Sequence, residues 1–189
     1  MRIVSGSLKG KKIISGSNSV IRPTSDKVKM AIFNIIAHRL VDFNFKGKNV
    51  LDLFSGTGAL GIEALSRGAS FSTFVDFSKL AEEVCLTNLE NCNLSNQAMY
   101  INCDIKKLSN IKFKDKFDII FADPPYKKNY SEIIFKNINK SELLKQNGIL
   151  IIEEDKNINL SIEDNFELLS HKEYGGTQIL ILIQKSLRL

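Results

Sequence analysis

From residue 48 onward the chain alternates short apolar runs with longer amphipathic stretches, and several of the runs end on an acid. Runs at 49–53, 71–75, 98–101, 117–122 and 149–152 are too short for buried helices and read as strands. Stretches at 59–66, 78–91, 130–138 and 141–146 read as helices, with Leu80, Val84 and Leu89 as the apolar positions of the longest. Asn147-Gly148 supplies a stop for the last of them. Strands separated by helices predict a parallel sheet with helices on both faces. Two final runs, 166–169 and 179–183, flank Gly175-Gly176 with no helix between them, so they are expected to pair antiparallel. Gly175-Gly176-Thr177 reveals no role of its own.

The first 48 residues read differently. Runs at 1–4 and 12–14 flank the turn Gly6-Ser7-Leu8-Lys9-Gly10-Lys11 and predict a small hairpin. A polar Ser/Gly/Asn stretch at 15–19 follows as a linker. Arg22-Pro23-Thr24-Ser25-Asp26 then opens a helix, with Thr24 or Ser25 as its N-cap. Val28, Ile32, Ile35 and Ile36, with Ala31 and Phe33 alongside, give that helix an apolar side. The expected organisation is a hairpin extension over 1–19 and one main domain over 20–189.

Charge sharpens this division. Within a net charge of +5, residues 1–48 hold ten Lys/Arg and two Asp/Glu, whereas 49–189 hold sixteen and nineteen. A general abundance of lysine does not explain why acids avoid the first 48 residues. A basic arm on a mildly acidic body fits a polyanionic partner such as nucleic acid. No window nears the ~18 consecutive apolar residues of a membrane span, and no apolar leader ends in a small-residue cleavage site. Cys85, Cys92 and Cys103 form an odd set without a C-x-x-C pair. That argues against a disulfide framework or structural zinc and fits a reducing cytoplasm.

Residues 50–61, Val-Leu-Asp-Leu-Phe-Ser-Gly-Thr-Gly-Ala-Leu-Gly, place a G-x-G-x-x-G pattern between a strand and a helix. Asp76 ends the next strand, 20 residues past Gly56, where a carboxylate can hold both ribose hydroxyls of an adenosine cofactor. Asp52 narrows the choice. A dinucleotide pyrophosphate would be repelled by a carboxylate there, whereas the ammonium and sulfonium of S-adenosylmethionine would be attracted. Asp104, after the third strand, can accept from the adenine amine, and Phe77 or Ile105 can cover the ring. The expected cofactor set is therefore Asp52, Phe54, Ser55, Gly56, Thr57, Gly58, Asp76, Phe77, Asp104 and Ile105, with no metal. Glycines serving only close helix packing would leave three acids at successive strand ends unexplained.

The strand at 117–122 runs into Asp123-Pro124-Pro125-Tyr126. An exocyclic amine of a base is a poor nucleophile, because its lone pair is delocalised into the ring. The Asp123 carboxylate and the Pro124 carbonyl can each accept one N–H and turn the lone pair toward a methyl donor. The prolines restrict the turn, and Tyr126 offers a face for an extruded base. A plain Asp-Pro turn is the simpler reading, but it does not account for the neighbouring cofactor loop. His38 and His171 are expected to be bystanders, since this chemistry needs no imidazole.

On these residues the chain resembles the bacterial 16S ribosomal RNA guanine(966)-N2 methyltransferases, the RsmD family. The matching segments are the Gly-Ser-Leu-Lys-Gly-Lys-Lys hairpin, Arg22-Pro23-Thr24 with Asp26 and Phe33-Asn34, the Asp52–Gly58 loop with Gly61-Ile62-Glu63-Ala64-Leu65-Ser66-Arg67-Gly68, and Asp123-Pro124-Pro125-Tyr126. The resemblance implies a Rossmann-like class I methyltransferase with a seven-stranded sheet, one strand of it antiparallel. It implies S-adenosylmethionine as donor, S-adenosylhomocysteine as product, and guanine N2 in 16S rRNA or a small-subunit assembly intermediate as acceptor. Asp76 and Ser78 depart from the family, which often carries Glu and then a further acid there. The arm residues expected to meet RNA are Arg2, Lys9, Lys11, Lys12 and Arg22, with Thr24 beside them. A monomer without membrane attachment is expected. The rival readings are an adenine-N6 nucleic-acid methyltransferase and, from another class, a non-catalytic RNA-binding ribosome-assembly factor. A glutamine-amide methyltransferase would carry Asn at Asp123, and a dinucleotide oxidoreductase is disfavoured by Asp52.

Overall fold

The structure, a computed structural model, describes residues 1–15, 26–39, 43–125 and 130–185. Seven strands make one sheet: β1 (Asn49–Leu53), β2 (Phe71–Asp76), β3 (Ala98–Asn102), β4 (Phe117–Ala122), β5 (Leu144–Asp155), β6 (Phe166–Tyr174) and β7 (Thr177–Gln184). Their order is β3-β2-β1-β4-β5-β7-β6. Strands β1 to β5 pair in parallel, and β7 runs antiparallel to both β5 and β6. Strand order thus reverses between β1 and β4, as expected of a doubly wound sheet with one antiparallel strand.

Helices α1 (Asp26–Arg39), α2 (Ala59–Ser66) and α3 (Lys79–Asn91) cover one face. Helix α4 (Tyr130–Lys140) and a 3₁₀ turn at Ile105–Asn110 cover the other. The central strands are buried on both faces, so they read as continuous apolar runs. Val50, Ile119, Phe121, Ile149 and Ile151 face the α1 side. Leu51, Leu53, Ile120, Leu150 and Ile152 face the α4 side. Phe33 of α1 packs against Phe121 and Phe45, with ring centroids 5.6 and 5.4 Å apart.

Two expectations fail. Residues 141–146 are not a helix: after a turn at 141–142, β5 begins at Leu144. Glu142 takes left-handed backbone at φ 45°, which a helix through it could not tolerate. Leu143 and Leu144 are instead buried against the α4-side core. The β4–β5 register jumps there, from Phe117↔Leu144 to Ile119↔Ile149. In α3 the buried stripe is Ala81, Cys85, Asn88 and Leu89, while Leu80 and Val84 are only half-buried. Ser78 sits outside that helix as its cap, its Oγ accepting from Ala81 N–H at 3.3 Å.

The N-terminal segment forms a hairpin through an Arg2↔Lys12 bridge, with Ile3 N–H donating to Lys11 C=O at 3.0 Å and Gly10 N–H to Ile3 C=O at 2.8 Å. Ile3 and Ile13 belong to the same core as α1 and α2, so the hairpin is packed onto the main domain. The expected caps Thr24 and Ser25, and residues 16–19 of the expected linker, lie outside the described residues.

Candidate active site

The crevice at the carboxyl ends of β1 and β4 lies at the switch point, where open α/β sheets bind ligands. The loop after β1 lines it. Phe54 holds φ 58°, an uncommon conformation for a bulky residue, and its ring meets Tyr130 edge-on with centroids 5.0 Å apart. Ser55 N–H donates to Val75 C=O at 3.1 Å, and Gly58 N–H to Ser55 C=O at 2.7 Å. Gly61 admits no side chain: an added Cβ would stand 2.4 Å from Phe74 Cε1 and 2.6 Å from Ser72 Oγ. That close approach brings Gly61 N–H to 2.9 Å from Asp52 Oδ2.

Asp52 is therefore not an open anion at the crevice mouth. It is 2% exposed and lies under the loop. Burial pushes its carboxyl well above the usual range, the Gly61 N–H works against that, and the nearby Asp123 and Asp76 charges raise it further. Asp76 accepts Gly56 N–H on Oδ2 and Ser78 N–H on Oδ1, both at 3.0 Å. It orders the glycine loop and the start of α3, and its oxygens keep lone pairs for hydroxyl donors. Asp104 caps the 3₁₀ turn, its Oδ1 accepting Lys106 N–H at 2.9 Å. Phe77 is 60% exposed at the end of β2, whereas Ile105 is buried in the α4-side core. Only Phe77 presents an open face. Ser55 and Thr57 are buried. The Ser55 and Tyr100 hydroxyls approach one another inside the fold without closing a well-formed bond.

Asp123 leaves β4 half-buried, followed by buried Pro124 and exposed Pro125. Asp52 pairs with Phe121 across β1 and β4, so strand alternation puts Asp123 on the same face as Asp52. Tyr126, Arg22 and Thr24 lie outside the described residues. His171 is exposed on β6 and His38 belongs to α1, so neither lies on β1 or β4.

The arm is held by buried polar groups that sequence reasoning missed. Glu63, fully buried on α2, accepts Val4 N–H at 2.8 Å, Ser5 N–H at 2.9 Å and Arg67 Nε–H at 2.9 Å. Lys29 of α1, also fully buried, lies 3.8 Å from Glu63 and donates to Arg2 C=O. At Gly6 an added Cβ would fall 1.8 Å from Ser66 C=O, so the turn sits directly on the end of α2. Asn88 of α3 donates to Ile14 C=O at 3.0 Å and to Thr57 C=O at 2.9 Å, and accepts Ile14 N–H at 2.7 Å. The arm thus runs from the far end of α2 back to the cofactor loop, roughly 12 Å along the helix. Arg2, Lys9 and Lys12 are exposed and Lys11 half-buried. Lys9 sits at the remote tip, and Lys11 and Lys12 on the returning strand. A polar residue within an apolar stripe was the only sequence signal for Lys29 and Asn88.

Known proteins resemble the chain along most of its length. The family profile described as conserved hypothetical protein 95 matches residues 1–183. Ribosomal RNA small subunit methyltransferase D of Haemophilus influenzae is 32% identical over 177 residues, 93% of this chain and 89% of its own. YlbH of Bacillus subtilis, a proposed rRNA methyltransferase, is 35% identical over 184 residues, 96% of this chain and 97% of its own. Among solved structures, yhhF of Escherichia coli, a proposed methyltransferase, superposes with a TM-score of 0.85 at 25% identity over 98% of both chains. The sheet is therefore a Rossmann-like methyltransferase sheet. Because the match runs through the arm, the glycine loop and the Asp-Pro-Pro turn alike, the chain belongs to the conserved hypothetical protein 95 family, that of ribosomal RNA small subunit methyltransferase D.

Proposed function

We propose that the protein transfers a methyl group from S-adenosylmethionine to the exocyclic N2 of a guanine in 16S rRNA. Position 966 is the expectation from the family resemblance, with free rRNA or a small-subunit assembly particle as substrate. The protein works as a monomer in the cytoplasm. The observation that carries this reading is the crowding of Asp52, Asp76 and Asp123 at the switch point, because a cationic donor relieves it and a pyrophosphate would worsen it. The residues present fit the donor: Asp76 and Asp104 for its adenosine, exposed Phe77 for the ring, and the Asp52 side of the loop for its charged end. When bound, S-adenosylmethionine would supply an electrophilic methyl on sulfur, and breaking that sulfur–carbon bond would leave S-adenosylhomocysteine.

The chain's own residues do the rest. Asp123 accepts one N–H of the amine and Pro124 C=O the other, which takes the lone pair out of conjugation and aims it at the crevice. Both acceptors also stabilise the positive charge growing on nitrogen. As the N–C bond forms, the amine becomes strongly acidic and gives up a proton through Asp123 toward solvent, so no strong base is required. Arg2, Lys9, Lys11 and Lys12, with Arg22 and Thr24, hold the RNA backbone and position it without reading sequence. Relatives named for ribosomal RNA small subunit methylation support this substrate class.

The test is labelled methyl transfer by the purified protein onto 16S rRNA, followed by nucleoside analysis. The expected product is N2-methylguanosine at a single position. N6-methyladenosine would replace this reading with the adenine one. RNA binding without methyl transfer would favour an assembly factor.

A further inference from the structure

We propose that Glu153 reads the ring N1–H of the guanine whose amine Asp123 holds, and so makes the site select guanine among bases that carry an exocyclic amine. This rests on the guanine-N2 reading above and adds a specificity residue to it.

Strands β4 and β5 pair in parallel through Phe121↔Ile151 and Ala122↔Ile152. The next step of that register sets Asp123 beside Glu153, at the strand spacing of about 4.8 Å. Alternation puts both on the face of Phe121 and Ile151, which is also the face of Asp52. Asp123 and Glu153 are thus neighbours at the carboxyl edge, with Asp52 on the same face one side-chain step below them, level with Phe121 and Ile151. Glu153 is 4% exposed, and its Oε1 accepts the Thr177 hydroxyl at 3.4 Å. Thr177 opens β7 directly after Gly175-Gly176. That turn rises on the same edge, where Asp155 pairs with Thr177 and Lys156 N–H donates to Gly176 C=O at 3.1 Å. The Gly-Gly-Thr turn, mute in the sequence, thereby places a hydroxyl against a carboxylate one strand from Asp123.

Acceptors on the amine alone cannot tell the bases apart, since adenine, cytosine and guanine all carry an NH2 group. The ring nitrogen next to it can. Guanine N1 bears a hydrogen, whereas adenine N1 and cytosine N3 are bare acceptors. A carboxylate at that point accepts from guanine and faces the lone pair of the other two. In a buried site such a mismatch is costly, because neither group can turn to water.

The test replaces the target guanine of a substrate RNA by 2-aminopurine, which keeps the N2 amine but leaves N1 bare. The wild-type protein is expected to prefer guanine by roughly 10²-fold in kcat/KM. In Glu153→Gln the amide can accept from N1–H or donate to bare N1, and it can still bond Thr177. The preference is then expected to shrink to a few-fold, while S-adenosylhomocysteine affinity stays unchanged. The missing O6 of 2-aminopurine affects both proteins alike, so the change in ratio isolates N1. An unchanged ratio in Glu153→Gln would make Glu153 a structural clasp between β5 and β7 and overturn the proposal. Should that variant not fold, Thr177→Val decides: it keeps the charge but frees its orientation, and the ratio must fall part-way. An unchanged ratio there overturns the proposal equally. If the wild-type protein instead methylates neither guanine N2 nor 2-aminopurine, the guanine reading itself fails before any variant is made.

Discussion

Asp118 and Asp123 flank the two ends of β4, and the two edges of the sheet are electrostatic opposites. At the amino edge Asp118 accepts from Lys145 Nζ at 2.8 Å, Lys48 Nζ at 3.3 Å and Asn49 N–H at 2.9 Å. Burial alone would raise its carboxyl, but these donors overcome it and hold the pKa below the ordinary value. That acid is a clasp, tying the starts of β1 and β5 to β4. At the carboxyl edge Asp52 meets burial and two further acids, with one N–H in compensation. An acid surrounded by donors is finished when the chain folds. An acid crowded by acids is finished when a cation arrives.

The largest expected effect comes from exchanging the edges. Asp123→Ala should lower kcat by roughly 10³-fold, the size of a lost charge-stabilising group, with cofactor affinity nearly unchanged; Asp118→Ala should leave kcat near wild type. Single-turnover assays with titration calorimetry check both, and an active Asp123→Ala protein would break the contrast. Glu63 extends it, since it too is an acid satisfied by donors. Glu63→Ala removes the buried counter-charge of Lys29 and the acceptor of two backbone N–H groups, so unfolding in urea should show a loss of about 3 kcal/mol. Hydrogen exchange should rise at Val4 and Ser5.

The pH responses should have opposite signs. Asp52, raised in the fold, makes the free protein lose stability as pH rises from the ordinary carboxylate range through its raised pKa. Over that window a positively charged ligand should bind more tightly as the carboxyl ionises. The affinity ratio of S-adenosylmethionine over uncharged-sulfur S-adenosylhomocysteine should therefore climb with pH, and flatten in Asp52→Asn. Asp118, lowered in the fold, contributes stability that is present above the ordinary carboxylate pKa and disappears as pH falls through its depressed value. Asp118→Asn should cost about 1 kcal/mol at neutral pH and remove that acid-side slope in thermal melts. The smallest effect per residue is on the arm. Neutralising Lys9, Lys11 and Lys12 together should make the salt dependence of RNA binding shallower, by about one unit of log-log slope for each phosphate no longer neutralised. An unaltered slope would detach the arm from the RNA.

The parts legible in the sequence were those with local causes. Strand β1, helix α2 and strand β4 fall where apolar runs and the glycine loop placed them. The antiparallel end followed from Gly175-Gly176, which turns Tyr174 back onto Thr177. Residues 141–146 misled because a six-residue stretch has too little helix of its own to resist the pull of the sheet, which took Leu144 into β5. Asp52 was visible at its strand end. Its burial was not, because the depth of the loop depends on how closely Gly61 meets Phe74. The arm's anchors were hidden for a related reason: Glu63 and Ser5 bond across 58 residues of chain, and Asn88 and Ile14 across 74. Glu153 acquires meaning only when β5 is laid in register beside β4.

The most direct measurement is a crystal structure of the protein with S-adenosylhomocysteine and an RNA carrying the target guanine. The guanine N2 should lie about 2.7–3.2 Å from both an Asp123 carboxylate oxygen and the Pro124 carbonyl. A guanine amine bound out of reach of both, or Asp123 turned from the crevice, would contradict the account.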